Sequence, residues 1–174
     1  MTEVHIIKAI LIRNPEINED AVRTEVTVMS LSQVRSYCRE RHEKDSIIIS
    51  ISSPFEQPAN IYRKDVSNVR FILRVLFEDE DTGPSVMSAE QADHIRDVVN
   101  LWYGKIGRII VQCEAGVSRS AGVAAAILKA KTGDDMSVFG NPFYKPNMHC
   151  YRTLLNSFES IENTDQPQLL INHI

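Results

Sequence analysis

The sequence has no excess of basic residues: 19 lysines and arginines stand against 23 aspartates and glutamates in 174 residues, for a net charge of -4. Nucleic acids and anionic membrane surfaces are usually met by a basic stripe, so neither is an expected partner. Long hydrophobic runs are missing too. The apolar stretches are short and interrupted, as at Ile47-Ile48-Ile49, against the roughly twenty residues a bilayer span requires. Cysteine is scarce. Cys38, Cys113 and Cys150 are odd in number and far apart, which argues against a disulfide framework and for thiols in a reducing compartment. The apolar residues from Val4 to Ile12 are broken by His5 and Lys8, with no small-residue cleavage site behind them, so they do not read as a secretory leader. The expected location is cytoplasmic. Internal repeats and low-complexity tracts are absent.

What is present is a single domain's worth of alternating elements. Residues 1–22 read as an N-terminal extension, 23–163 as the domain and 164–174 as a tail. Val4–Ile12 suits an edge strand or a short helix, ended by Asn14-Pro15. Val26–Met29 reads as a strand. Ser30 and Gln33 form a capping box that opens a helix to about Glu40. Ser46–Ser52 is a buried, Ile-rich strand, and 53–69 a long loop with little periodicity. Phe71–Phe77 reads as the next strand. An acidic loop, Glu78-Asp79-Glu80-Asp81, runs on to Gly83-Pro84. A second capping box, Ser88 with Gln91, starts a helix carrying Ile95, Val98, Val99 and Trp102 at helical spacing. Arg108–Gln112 is a short central strand, Ala121–Lys131 a helix of small and apolar residues stopped by Gly133, and about Met148–Ile161 a last helix. Strands alternating with helices predict an α/β domain with a mostly parallel central sheet flanked by helices, and ligands of such sheets bind at the carboxyl ends of the strands.

The stretch Cys113-Glu114-Ala115-Gly116-Val117-Ser118-Arg119 falls between a strand and a helix N-terminus. A loop of that size can curl its backbone N–H groups inward, and with the positive end of the helix it forms an anion site. Gly116 permits a backbone conformation that a side chain resists. Arg119 supplies a planar fork that can hold two phosphate oxygens. Cys113 stands at the mouth of this field, where the positive surroundings favour the nucleophilic thiolate.

Cys-x5-Arg followed by Ser, between a strand and a small-residue helix, resembles the signature of the cysteine-based protein tyrosine phosphatases. Cys113-Glu-Ala-Gly-Val-Ser-Arg-Ser120-Ala-Gly is most similar to their compact, dual-specificity-like branch. An Asp-bearing loop lies a helix and a strand upstream, as in that family. Pro146-Asn147 before an apolar helix with Leu154 resembles the segment that closes these small domains. The resemblance covers about residues 24–160 and implies a phosphatase-type fold. It also implies that Cys113 attacks phosphorus and forms a phosphocysteine. An Asp then protonates the leaving oxygen and later activates water. Backbone groups of Glu114, Ala115, Gly116, Val117 and Ser118, together with Arg119, would hold the phosphoryl oxygens. Ser120 would hydrogen-bond the departing sulfur. No metal or cofactor is implied, and the expected partner is a phosphorylated protein. Asp79 and Asp81 both fit the place of the acid. Asp79 is favoured because it lies nearer the rigid strand end.

Gln112 departs from the family pattern, which has His before the nucleophile; Gln still offers a donor and an acceptor. Glu114 and the lack of Lys inside the loop point away from highly anionic lipids and toward a phosphoprotein. The leading expectation is phosphotyrosine, with pocket depth deciding whether phosphoserine and phosphothreonine are added. Two alternatives carry less: a phosphate-binding pseudophosphatase, suggested by Gln112, and a sulfur- or arsenate-handling enzyme, for which no second catalytic cysteine is evident. His149 and Cys150 are neighbours in a helix and point apart, so they read as structural, as does Cys38. Either Cys38 or Cys150 is a possible disulfide partner for an oxidised Cys113. Trp102 reads as core. Phe55 and Tyr62 are candidates to line a phosphotyrosine pocket or to pack within the loop.

Overall fold

The computed structural model describes residues 22–57, 59–62 and 67–162. The expected extension (1–22, with its Val4–Ile12 element) and the tail therefore fall almost wholly outside the described residues. The elements are β1 (Glu25–Ser30), α1 (Leu31–Tyr37), β2 (Ser46–Ser52), β3 (Val69–Leu76), α2 (Ala89–Trp102), β4 (Arg108–Cys113), α3 (Arg119–Thr132), α4 (Met136–Phe139) and α5 (Met148–Glu162). The strands form one sheet in the order β1-β4-β2-β3, and every pairing is parallel.

Side-chain alternation divides the core into two layers. Ile47, Ile49 and Ile51 of β2, with Ile109, Val111 and Cys113 of β4, face α2, α3 and α5. Ile48 and Ile110 face the other way, against Leu31, Val34, Tyr37 and Cys38 of the α1 region and Ala59 and Ile61 of the loop after β2. A strand buried on both faces reads as a continuous apolar run rather than an alternating one, which explains the Ile-rich Ser46–Ser52. No helix among the described residues is long and apolar enough to cross a membrane.

Both capping boxes form. The Ser30 hydroxyl accepts from Gln33 N at 3.3 Å and Ser30 N donates to the Gln33 side chain at 2.7 Å; Ser88 and Gln91 do the same at 3.2 and 2.9 Å. α1 stops at Tyr37 rather than near Glu40, because its apolar stripe ends at Tyr37 and Cys38. Arg39 and Glu40, both exposed, have no core face to cover. β3 begins at Val69, two residues earlier than expected, and the short α4 has no counterpart in the sequence reading. α3 packs on α5 through small residues. A Cβ on Gly122 would sit 2.4 Å from the Asn147 carbonyl oxygen and 3.2 Å from the Cys150 Cβ, so the two helices can approach only because that position has no side chain.

Candidate active site

β4 lies between β1 and β2 and delivers Cys113 to the carboxyl edge of the sheet. From there the chain turns through 114–118 and enters α3 at Arg119. The carbonyls of this loop are tied down on its outer side. Leu31 N donates to Glu114 O at 3.1 Å, Lys145 N to Val117 O at 3.0 Å, and Asn147 N to Ser118 O at 3.2 Å. In a trans peptide the carbonyl and the next N–H point in opposite directions. Fixing those carbonyls outward therefore turns the N–H groups of Ala115, Ser118 and Arg119 inward, as an anion nest requires. Gly116 closes the curl at φ +68°, where a Cβ would meet Ser30 N at 2.6 Å and the Met29 carbonyl carbon at 2.8 Å. Both its conformation and its contact with the end of β1 demand glycine.

Ser118 occupies the N-cap position of α3 but makes no side-chain capping bond. Its hydroxyl donates instead to Asp79 Oδ1 at 2.7 Å. The helix start thus keeps its N–H groups available to a ligand, and the helix dipole favours an anion there.

Cys113 is nearly buried, and its Sγ lies 3.0 Å from the Oγ of the fully buried Ser120. Arg119 donates through Nη1 to the Phe77 carbonyl at 2.9 Å. Its Nε is buried without a hydrogen-bond partner among the described residues, and no carboxylate there forms an ion pair with it. An unpartnered buried donor costs about 1–3 kcal/mol, a cost relieved by an acceptor arriving between the arginine and the loop. A cavity of about 440 Å³ opens beside it, with Arg119, Glu114, Ser53 and Tyr62 in its lining. Phe55, 81 % exposed, is not among the lining residues. Glu114 is exposed at the mouth.

Of the two candidate acids, Asp79 is hydrogen-bonded to the loop. Besides the Ser118 bond, Asp79 Oδ1 accepts from Asn147 Nδ2 at 3.0 Å, and the same amide reaches the Glu80 carbonyl at 3.3 Å. No hydrogen bond joins Asp81 to the site among the described residues. Asn147 is a residue the sequence reading gave no role. Buried at the start of α5, it holds the acidic loop with its amide nitrogen, accepts Cys150 N at 2.9 Å with its amide oxygen, and meets the loop between Cys113 and Arg119 with its backbone. Pro146-Asn147 before an apolar helix marked the segment; nothing in it named a partner 68 positions away.

Gln112 is buried. Its Oε1 accepts from Ser50 Oγ at 2.8 Å, as the β2–β4 register, which pairs Ser50 with Gln112, allows. Its Nε2 has no partner among the described residues. Cys150 belongs to the same core layer as Cys113. Burial pushes its thiol up to about 12, with the Asp79 carboxylate adding to the shift and Arg119 opposing it, so Cys150 stays protonated at neutral pH. Its neighbour His149 turns away, with Nε2 2.9 Å from the Met87 carbonyl oxygen.

No protein-family model matches the sequence, and no curated protein matches it. Solved structures do match in shape. A variant of human DUSP28 superposes with a TM-score of 0.51 at 17% identity, covering 87% of this chain and 100% of that one. Tk-PTP in its active form gives 0.50 at 19%, covering 83% and 97%. The Yvh1 phosphatase domain from Chaetomium thermophilum gives 0.51 at 15%, covering 83% and 95%. The chain has the fold of these compact phosphatases, as the strand-loop-helix pattern around Cys113 implied.

Proposed function

We propose that this protein is a cysteine-based phosphatase that hydrolyses phosphotyrosine in proteins, with Cys113 as nucleophile and Asp79 as general acid. The observation that carries the reading is the buried, unpartnered Nε of Arg119 at a loop whose carbonyls are held outward. A dianionic phosphoryl group satisfies both the arginine and the inward N–H groups.

In the first step Cys113 Sγ attacks phosphorus, the P–O bond to the tyrosyl oxygen breaks, and Asp79 gives that oxygen its proton. In the second step Asp79 takes a proton from water, the water oxygen bonds to phosphorus, and the S–P bond breaks. Ser120, 3.0 Å from the sulfur, donates to the departing thiolate. Arg119 and the loop N–H groups stabilise the equatorial oxygens throughout, which is the main electrostatic contribution. No step calls for a metal. Extension to phosphoserine and phosphothreonine depends on whether those shorter groups reach Cys113 from the mouth of the cavity.

The test is phosphate release from a small aryl phosphate with chelator present, comparing the native protein with Cys113→Ser. Release by the native protein and none by the folded variant is the expected result; equal release by both would sink the mechanism. A second reading, a phosphate-binding pseudophosphatase, is favoured by the half-satisfied Gln112 where the family carries His. Phosphotyrosine binding by the native protein without release would establish it.

A further inference from the structure

The cavity beside Arg119 does not end at the phosphate-binding loop. Its lining includes Arg35 on α1, together with Asn60 and Tyr62. A second cavity, of about 230 Å³, is lined by Arg35, Arg39, Asn60 and Tyr62. Three residues common to both walls make one continuous groove, running from Arg119 across the exposed side of α1. Arg35 stands at the junction. Its Nε donates to the Asn60 carbonyl at 3.3 Å, which anchors the guanidinium at the groove; its terminal nitrogens make no hydrogen bond among the described residues.

The far end of the groove is basic. Net charge is -4, yet among the described residues the second cavity has two guanidinium groups and no carboxylate in its lining. Lys44, Arg70, Arg96 and Arg108 are each within ion-pair distance of an acid. Arg35 and Arg39 form no such pair among the described residues. Charges left unpaired at the end of a groove that begins at the phosphate clamp are placed to meet an anion carried by the same substrate.

We propose that this groove reads an acidic flank of a phosphotyrosine peptide: a carboxylate or a second phosphoryl group, a few residues from the tyrosine, seated between Arg35 and Arg39. The inference rests on the phosphatase reading and names its substrate class. A polypeptide fits better than a polyphosphorylated lipid headgroup, because Glu56 and Glu114 line the near cavity beside Arg35. Those carboxylates repel a compact cluster of phosphates, but a peptide spaces its charges along the chain.

The test uses the full-length Cys113→Ser protein, which binds substrate without turning it over, and phosphotyrosine peptides with Glu/Asp, phosphoserine, Gln/Asn or Lys flanks. For exposed charges the acidic and phosphoserine flanks are expected to bind about three- to tenfold tighter than the neutral one. The two acidic arms show which anion is preferred. That gap should close at about 0.5 M salt. Adding Arg35→Glu and Arg39→Glu should invert the order, so that the Lys-flanked peptide binds best, an outcome that simple damage to the fold cannot produce. Equal binding of acidic and neutral peptides, or an equal loss for all flanks in the charge-reversed protein, overturns the proposal. A soluble short-chain phosphoinositide that outcompetes the acidic peptide, and is weakened by the same reversal, overturns it in favour of a lipid headgroup. Aryl phosphate hydrolysis by the native protein separates the two readings: with hydrolysis intact and no flank preference, only the groove proposal falls.

Discussion

At the amino ends of the strands, Glu25 is held by Lys44 at 2.6 Å and by Arg108 at 3.0 Å, and Asp45 is held by Arg70 at 2.8 Å. At the carboxyl ends of the same strands, Arg119 has only a backbone carbonyl, and its Nε faces no partner among the described residues. One edge closes the sheet with neutralised charge; the other keeps a cation without an ion pair and N–H groups with no backbone acceptor among the described residues. The fold tolerates the second arrangement because the sheet behind it is buried on both faces. On the proposed function, stability and reactivity occupy opposite edges of a single sheet, and substitutions at each edge should separate them.

The largest expected effect comes from Arg119→Lys. It keeps the charge but removes the fork, and should lower kcat/KM for an aryl phosphate by about 10²–10³-fold, in the range seen when one preorganised donor is lost. Thermal unfolding should shift little. A large loss of stability with it would mean that Arg119 is structural, and the contrast between the edges would fail. Next is Asp79→Asn, expected to slow substrates with poor leaving groups by about 10²-fold and good leaving groups far less. Asp81→Asn should do neither, and Asn147→Ala should follow Asp79→Asn in leaving-group dependence with smaller size. Equal effects at the two aspartates would remove the acid from this loop. The smallest effect belongs to the far edge. Hydrogen bonds from Lys44 and then Arg108 hold the Glu25 carboxyl down to about 2, below the usual 4.5. A depressed carboxylate stabilises the fold above its unfolded value and loses that contribution as pH falls through its folded one. Glu25→Gln should therefore lower stability slightly at neutral pH, converge with the native protein as pH drops from about 4.5 toward 2, and leave turnover untouched; the check is thermal unfolding across that range.

The elements that local chemistry specifies were legible in the sequence. Ser30/Gln33 and Ser88/Gln91 are complete capping signals within four residues, and both form. Ser46–Ser52 announces double burial by its unbroken apolar run. Cys113 to Arg119 is legible because a single short loop contains the proposed nucleophile, the required glycine and the cation. The contacts that tie Asp79 to the Cys113–Arg119 loop were not legible. They join Ser118 and Asn147 to a loop 39 and 68 positions away, and side chains that meet only through tertiary packing leave no local pattern. The end of α1 was misplaced because polar residues such as Arg39 and Glu40 are compatible with helix; what stops it is the lack of anything to cover. The groove through Arg35 and Arg39 was missed because it depends on where the chain near Asn60 and Tyr62 returns to α1.

β4 is the last strand in sequence, yet it sits between β1 and β2, pairing with a first strand 83 positions earlier. A strand that must be inserted between two others closes the longest loops of the fold, and such contacts are slow to form. The Cys113–Arg119 loop, the proposed phosphate site, hangs from the end of that strand and is wedged by Gly116 against β1, so it takes shape only once the insertion is complete. An oxyanion such as phosphate or vanadate would then bind finished chains alone and stabilise them by RT ln(1 + [L]/Kd). The amount bound at saturation becomes a gauge of folding yield, and the substrate-like anion a natural additive for refolding this protein.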